Sequence, residues 1–173
     1  MNKLTEKSVI QLILNSKKFN TKYDTLLPNT YYYLKRIEAD LLGITKSDYV
    51  YEYEIKLSRP DLLADKKKSN RLTRKYLQSI GCKVKTPYDK TKHEWLYLGS
   101  LLPNYFTYII KEGIGDIRDI PEWSGLIFVT NTGKFVEVRK PKKLHSRKLD
   151  INTKLKLYKK FVYRYNRRLI NEK

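Results

Sequence analysis

Cysteine, histidine and alanine are almost missing from this chain, and acids are scarce. One cysteine, two histidines and two alanines (Ala39 and Ala64) stand among 173 residues. A lone Cys82 builds neither a disulfide framework nor a thiolate zinc site, and a reducing cytoplasm is its expected home. Cys82 also has no evident base or acid partner, which argues against a nucleophilic role. His93 and His145 are isolated in the sequence, so zinc chemistry is excluded as well. No apolar run approaches the roughly 18 residues of a membrane span, and the N-terminus shows no signal-peptide core, so no membrane partner is expected. Eighteen acids face 37 basic residues, leaving a formal charge of +19. Aromatics, by contrast, are plentiful: 15 Tyr, 5 Phe and 2 Trp exclude a solvating disordered tail. With 40% hydrophobic residues, the chain can bury one real core, and a single domain is expected.

A charge of this size points to a polyanionic partner, nucleic acid first. Lysine outnumbers arginine 27 to 10. An A+T-rich coding bias accounts for that preference and for the missing alanine. It does not account for the shortage of acids.

The pattern along the chain mixes helix and strand. Leu4 to Asn15 reads as a helix, with Thr5 as its cap and Glu6 in the first turn, where the dipole favours a carboxylate. Asn20 to Thr30, carrying Pro28, reads as a loop, and Tyr31 to Ile44 as one extended run. Tyr49 to Leu57 alternates, and Thr45 to Asp48 is turn material, so the two runs form a hairpin. Ser58-Arg59-Pro60-Asp61 starts a helix expected to reach Ile80. Further strands are expected at Tyr105 to Lys111, Leu126 to Thr130 and Phe135 to Arg139, the last two around a turn ending in Gly133-Lys134. From Ile151 to Leu169, the residues Ile151, Leu155, Tyr158, Phe161, Val162, Tyr165 and Leu169 form an apolar stripe, either core or a homodimer face. The expected class is α/β with mixed α+β character, in one domain.

The residues suited to chemistry lie on the first hairpin. Alternation places Glu52, Glu54 and Lys56 on one face and Tyr51, Tyr53 and Ile55 on the other. With the turn centred on Ser47, Asp40 stands across from Glu54 and Glu38 across from Lys56. Two opposed carboxylates repel unless a cation sits between them, and hard oxygen ligands suit Mg²⁺. A lysine two residues on is placed to orient a metal-bound water. The triplet alone is a weak signal: about 1.4 Glu-x-Lys triplets arise by chance in this composition. A wet strand face carrying Glu and Lys also needs no function.

The longer pattern is more specific. Glu38-Ala39-Asp40-Leu41-Leu42 is followed, about a dozen residues on, by Glu54-Ile55-Lys56-Leu57-Ser58 and then Asp61-Leu62-Leu63-Ala64-Asp65-Lys66. Together they resemble the PD-(D/E)xK nuclease superfamily, and more narrowly its MmcB-like DNA-repair and phage-encoded members. Lys92-His93, Pro103 to Tyr108, Ile120 to Ile127 and Pro141 to His145 are similar to later blocks of that family, so the likeness covers most of residues 36 to 148. Ala39 stands where the superfamily often has proline, and residues 68–91 look like a basic insertion.

This resemblance implies a restriction-endonuclease-like core, a central mixed sheet flanked by helices, within residues 1–150. Residues 151–173 would add an amphipathic basic helix packed on the same domain or on a dimer partner. It implies Asp40, Glu54 and the carbonyl of Ile55 as ligands of Mg²⁺, replaceable by Mn²⁺, and Lys56 as the catalytic lysine. Glu6 carries over as an accessory acid. Ser58, Lys66, Lys67, Lys68, Arg71, Arg74, Lys75, Lys92 and His93 are the expected nucleic-acid contacts, the basic run by its charge as much as by likeness. The expected protein is a cytoplasmic Mg²⁺-dependent DNA nuclease of a bacterium or phage-infected host. It would act as an endonuclease or as a repair, flap or junction enzyme, leaving 5′-phosphates and using no small-molecule cofactor. Two alternatives stand beside it: a non-catalytic basic nucleic-acid-binding protein that keeps the fold, and a basic subunit with an acidic protein partner.

Overall fold

In the computed structural model, residues 4–33, 37–65, 69–71 and 89–171 are described. The N-terminal helix α1 (Glu6–Leu14) starts as expected: the Thr5 hydroxyl accepts the Ser8 amide, and the Ser8 hydroxyl answers by accepting the Thr5 amide. A second short helix, α2 (Lys17–Lys22), and a strand, β1 (Thr25–Tyr33), occupy the stretch read as a loop. Pro28 is tolerated because β1 is an edge strand, where a missing N–H leaves no ladder bond unmade. Asn29 beside it takes a positive φ of 48°.

The extended run beyond β1 is not one strand. Tyr31 to Tyr33 end β1, and β2 (Ile37–Ile44) pairs back on it, Thr25 against Ile44 and Thr30 against Ala39. The tight turn around Asp48 (φ 62°) then leads into β3 (Val50–Lys56). Helix α3 (Arg59–Asp65) follows, with the Asp61 amide reaching the Ser58 hydroxyl at 3.4 Å. It does not run to Ile80: Ser69–Arg71 form a strand, β4, paired with β5 (Asp89–Thr91) in a separate two-stranded ribbon. The remaining residues of that stretch, Lys66 to Lys68 and 72 to 88, lie outside the described residues.

Helix α4 (Lys92–Tyr97) is capped by Thr91, whose hydroxyl accepts the Glu94 amide. Strands β6 (Tyr105–Lys111), β7 (Gly125–Val129) and β8 (Phe135–Arg139) match the three read from the sequence, with Gly133 at φ 79° in the β7–β8 turn. The main sheet runs β1-β2-β3-β6-β7-β8, with β6 parallel to both β3 and β7 and the outer pairs antiparallel. It is a mixed six-stranded sheet flanked by helices, in one α/β domain with α+β character, as expected.

Each face of the sheet buries a different set. Val9, Ile10 and Ile13 of α1 pack with Phe19, Tyr23, Tyr53 and Ile55 on one side. On the other, Leu62, Trp95 and Leu96 from α3 and α4 pack with Phe106, Tyr108 and Ile110. Gly43 lets this happen at close quarters, since a Cβ there would lie 2.8 Å from the Tyr23 ring.

The last helix, α5 (Ile151–Asn171), packs by only two residues of the expected stripe, Tyr158 and Phe161, together with Leu157. Leu157 is buried against Leu27, Leu42 and Leu149, with Tyr158 and Phe161 beside it. Ile151, Leu155, Val162, Tyr165 and Leu169 stay exposed, Ile151 at 65%. The short loop before the helix fixes this rotation: Asp150 caps it through the Thr153 amide, and Lys154 is tied to Asp48 at 3.0 Å and Asp24 at 3.6 Å.

Candidate active site

Strand β3 carries the centre of the site, and alternation decides which residues enter it. Tyr53 and Ile55 join the core beneath α1, so Glu52, Glu54 and Lys56 must face α3 and α4. All three are buried, Glu52 completely. The last β2–β3 pair is Leu41 with Tyr53, and one further step of that register sets Asp40 opposite Glu54. There the ladder changes: the Ile55 amide donates to Asp40 Oδ2 at 2.7 Å. Leu41 packs beneath α1, yet Ile37, of the same parity, packs with α3 and α4. The strand therefore turns over around Asp40, and its carboxylate reaches across to the backbone of β3.

Two lysines, not one, meet the buried acids. Lys56 Nζ lies 2.7 Å from Glu54 Oε1, 3.4 Å from Asp65 Oδ1 and 3.6 Å from Asp61 Oδ2. Lys92 Nζ lies 2.7 Å from Glu54 Oε2 and 2.6 Å from Glu52 Oε1, and donates to the Glu38 carbonyl at 3.3 Å. Tyr32 closes one end by donating to Glu52 Oε2 at 2.9 Å. Asp65 closes the other, accepting from the Tyr108 hydroxyl at 2.6 Å and contacting His93 Nε2 at 3.1 Å; His93 also hydrogen-bonds Tyr108. The result is an alternating chain, Glu52–Lys92–Glu54–Lys56–Asp65, stretched across one face of the sheet.

The protonation of this chain follows from its order. Burial raises Glu54, but the Lys92 charge and then Lys56 outweigh burial and hold it below the usual carboxylate range. Burial opposes the charge on Lys92, yet Glu52 and Glu54 together raise it well above the ordinary lysine value. Lys56 is likewise raised against burial, by Glu54 and Asp65. Asp65 is lowered against burial by His93, Lys56 and Tyr108. Glu52, deepest of all, stays raised because burial outweighs Lys92.

Outside this chain lies a second group of acids with no such compensation. Asp40 is pushed up to about 7, by burial first and by the Glu54 charge next. Glu6 is raised too, by burial and then by Glu38 and Glu54. With its amide oriented to satisfy both neighbours, Asn29 donates to Glu6 Oε1 and to the Asp40 carbonyl, each at 3.2 Å. The positive-φ residue on β1 thus ties α1 to β2. Carboxylates raised by burial and by neighbouring carboxylates form a locus where added positive charge is stabilised.

The fold brings Glu6, Asp40, Glu54 and Lys56 into mutual electrostatic range. It does not pair Glu38 with Lys56; Glu38 instead meets Arg164 at 3.8 Å. Lys92, expected as a nucleic-acid contact, is only 5% exposed and committed to two glutamates. His93 is turned inward onto Asp65 and Tyr108. Ser58 is exposed at the start of α3. Lys66, Lys67, Lys68, Arg74 and Lys75 lie outside the described residues, as does Cys82, and of Arg71 the backbone is placed in β4. His145 is a packing histidine, held by Asn104 and the Leu101 carbonyl. Among the described residues, no group of three or more His, Cys, Asp or Glu side chains is arranged as a ready-made metal site.

The sequence assigns no place in this network to Glu52, Asp65, Tyr108 or Tyr32, although Asp65 and Tyr108 fall within blocks that carry the resemblance. Glu52 had a signal, its parity with Glu54. Tyr108 and Asp65, 43 positions apart, had none.

No family model matches the chain. No curated protein matches it either. Among solved structures it is similar to the SPO1766 protein of unknown function from Silicibacter pomeroyi, with a TM-score of 0.59 over 97% of this chain and 91% of that one. At 15% identity, this likeness shows a shared fold and nothing finer.

Proposed function

We propose that the protein is a Mg²⁺-dependent nuclease that hydrolyses phosphodiester bonds in DNA, a member of the PD-(D/E)xK superfamily. One observation carries this reading: at the point where β2 turns over, the Asp40 carboxylate accepts the Ile55 amide and feels the Glu54 charge, with Lys56 two residues beyond Glu54 on the same strand. Asp40 and Glu54 would hold the ion, with the Ile55 carbonyl, waters and phosphate oxygens completing its shell. Two carboxylates are what Mg²⁺ commonly takes from a protein at a phosphate site. The raising of Asp40 by burial, by Glu54 and by Glu6, and of Glu6 by burial, by Glu38 and by Glu54, fits a place that accepts a cation. When bound, the ion would polarise the scissile phosphate and acidify an attacking water.

The chain's own residues do the rest. Lys56, fixed on both sides by Glu54 and Asp65, holds its ammonium where negative charge develops on the phosphate. Tyr108 and His93 hold Asp65, and through it Lys56. Glu6, tied to β2 by Asn29, adds an acid at the outer edge. Cleavage as an endonuclease, or at flaps and junctions in repair, would leave 5′-phosphates.

A second reading is favoured by Lys92. Its ammonium already neutralises Glu54 on the side away from Lys56, which suits a basic nucleic-acid-binding protein that keeps the fold without turnover. Diffraction from crystals soaked in Mn²⁺ separates the two. An anomalous peak between Asp40 and Glu54 supports the nuclease; a vacant gap at millimolar Mn²⁺, with Lys92 still on Glu54, supports the binder.

A further inference from the structure

We propose that the groove between β1 and α5 binds a single-stranded segment of nucleic acid. The inference rests on the nucleic-acid reading above and assigns it a surface that the expected basic run did not include. Residues 151–171 also lie beyond the stretch that carries the family resemblance.

Two adjoining cavities, of about 440 and 470 Å³, lie along α5 and share Lys160. Six cations line them: Arg147, Lys148, Lys156, Lys160, Arg164 and Arg167. The one carboxylate in either lining is Asp150, and it is spent on capping α5 through the Thr153 amide. From Ile151 to Asn171 the helix has no acidic residue at all. Cations therefore dominate the groove, with Glu38 beside Arg164 as the acid at its margin.

Ring faces stand between the charges. Tyr31 and Phe161 line the second cavity with Tyr163, which is 63% exposed. The Arg164 guanidinium lies 5.8 Å from the Tyr31 ring centre, and that of Arg167 lies 5.9 Å from Tyr163. Rings that can take unpaired bases, alternating with cations that can take phosphates, are the working parts of a single-strand groove. A duplex would engage the cations and leave the rings unused, because its bases are already stacked. An acidic amphipathic helix would match the charge, but it needs an unbroken apolar floor, and here Lys160 and Arg164 interrupt it.

The groove also reaches the candidate site. Tyr32 lines the first cavity and donates to Glu52, which meets Lys92, which meets Glu54. Arg164 in the second cavity touches Glu38, two residues from Asp40. A strand held along α5 thus leads toward the carboxylates.

Fluorescence anisotropy with a labelled 20-mer of thymidine, the full chain and EDTA in the buffer tests this without any metal. The exposed triple variant Lys156→Ala, Lys160→Ala and Arg167→Ala should bind at least tenfold more weakly, with a log–log salt slope shallower by about 2. Tyr163→Ala should weaken the 20-mer several-fold and leave a 20-base-pair duplex unchanged. Circular dichroism identical to the parent confirms that each variant is folded. Wild-type affinity in the triple variant overturns the groove, as does a duplex bound more tightly than the single strand. A Glu-rich helical peptide displaced by the same substitutions, with oligonucleotide binding intact, overturns it too. Because EDTA removes any metal step, a protein that binds through the groove yet never cleaves DNA sinks the nuclease and not the groove. Undiminished cleavage by the triple variant does the reverse.

Discussion

Asp40 is the residue where stability and function pull apart. Its carboxylate is buried beside Glu54 and raised to about 7, so ionising it costs the metal-free fold free energy. A carboxyl raised in the fold contributes stability that is full below its unfolded value and is lost as pH rises through the folded one. Asp40→Asn keeps an oxygen for the Ile55 amide and removes the charge. In EDTA at pH 8 the variant should therefore be more stable than the parent by roughly 0.5–2 kcal/mol. The gain should vanish by about pH 4, and urea melts at the two pH values check both halves. Millimolar Mg²⁺ should raise the melting temperature of the parent and leave that of Asp40→Asn unmoved. Lys92 is the opposite case. Replacing it with methionine leaves Glu52 and Glu54 facing each other in the core, and should cost about 3–5 kcal/mol, read from the urea midpoint. Of the site, Asp40, Glu54 and Lys56 were legible because strand alternation and hairpin register are local rules. Lys92 was legible only as a lysine: its partners lie 38 and 40 positions away, and nothing short of the crossover from β3 to α4 brings them together.

At the scale of elements, the strands with strict alternation or a marked turn were readable, and the misreadings each have a physical cause. Proline and asparagine at 28 and 29 read as a loop because both disfavour strands; the edge position of β1 removes the penalty for one, and a local positive φ accommodates the other. The basic run after Asp65 read as the continuation of the helix started at Ser58, from its apolar spacing, yet β4 pairs with β5, a partner that local periodicity cannot reveal. In α5 most of the apolar stripe is exposed, while Leu157, Tyr158 and Phe161 face the core in a rotation that also places Lys154 on Asp48 and Asp24. The closeness of α2 to the sheet is testable at Gly43. Gly43→Ala would drive a methyl into the Tyr23 ring and should destabilise the protein by about 1–3 kcal/mol, with a changed near-ultraviolet tyrosine signal.

For the whole molecule, the net charge of +19 divides unevenly. Lys56 and Lys92 are offset by the acids they meet and add little to the long-range field, so the field that attracts a polyanion comes from the remaining surface, with α5 contributing a side that carries no acid. The acids of the site are the counterweight: five carboxylates, Glu52, Glu54 and Asp65 buried, Asp40 half-buried and Glu6 at the surface, are drawn to one region of a strongly basic protein. A fold concerned only with binding DNA gains nothing by placing Asp40 where it repels Glu54. Cleavage of a panel of labelled single-stranded, duplex and branched DNA in Mg²⁺ and in Mn²⁺, by the parent and by folded Glu54→Gln and Lys56→Ala variants, is therefore the decisive measurement. The parent should release 5′-phosphate products in either metal, with none in EDTA, and each variant should be slower by at least a hundredfold. A parent that cuts nothing in the panel, or variants that cut as fast as the parent, would contradict the assignment of this site as a nuclease.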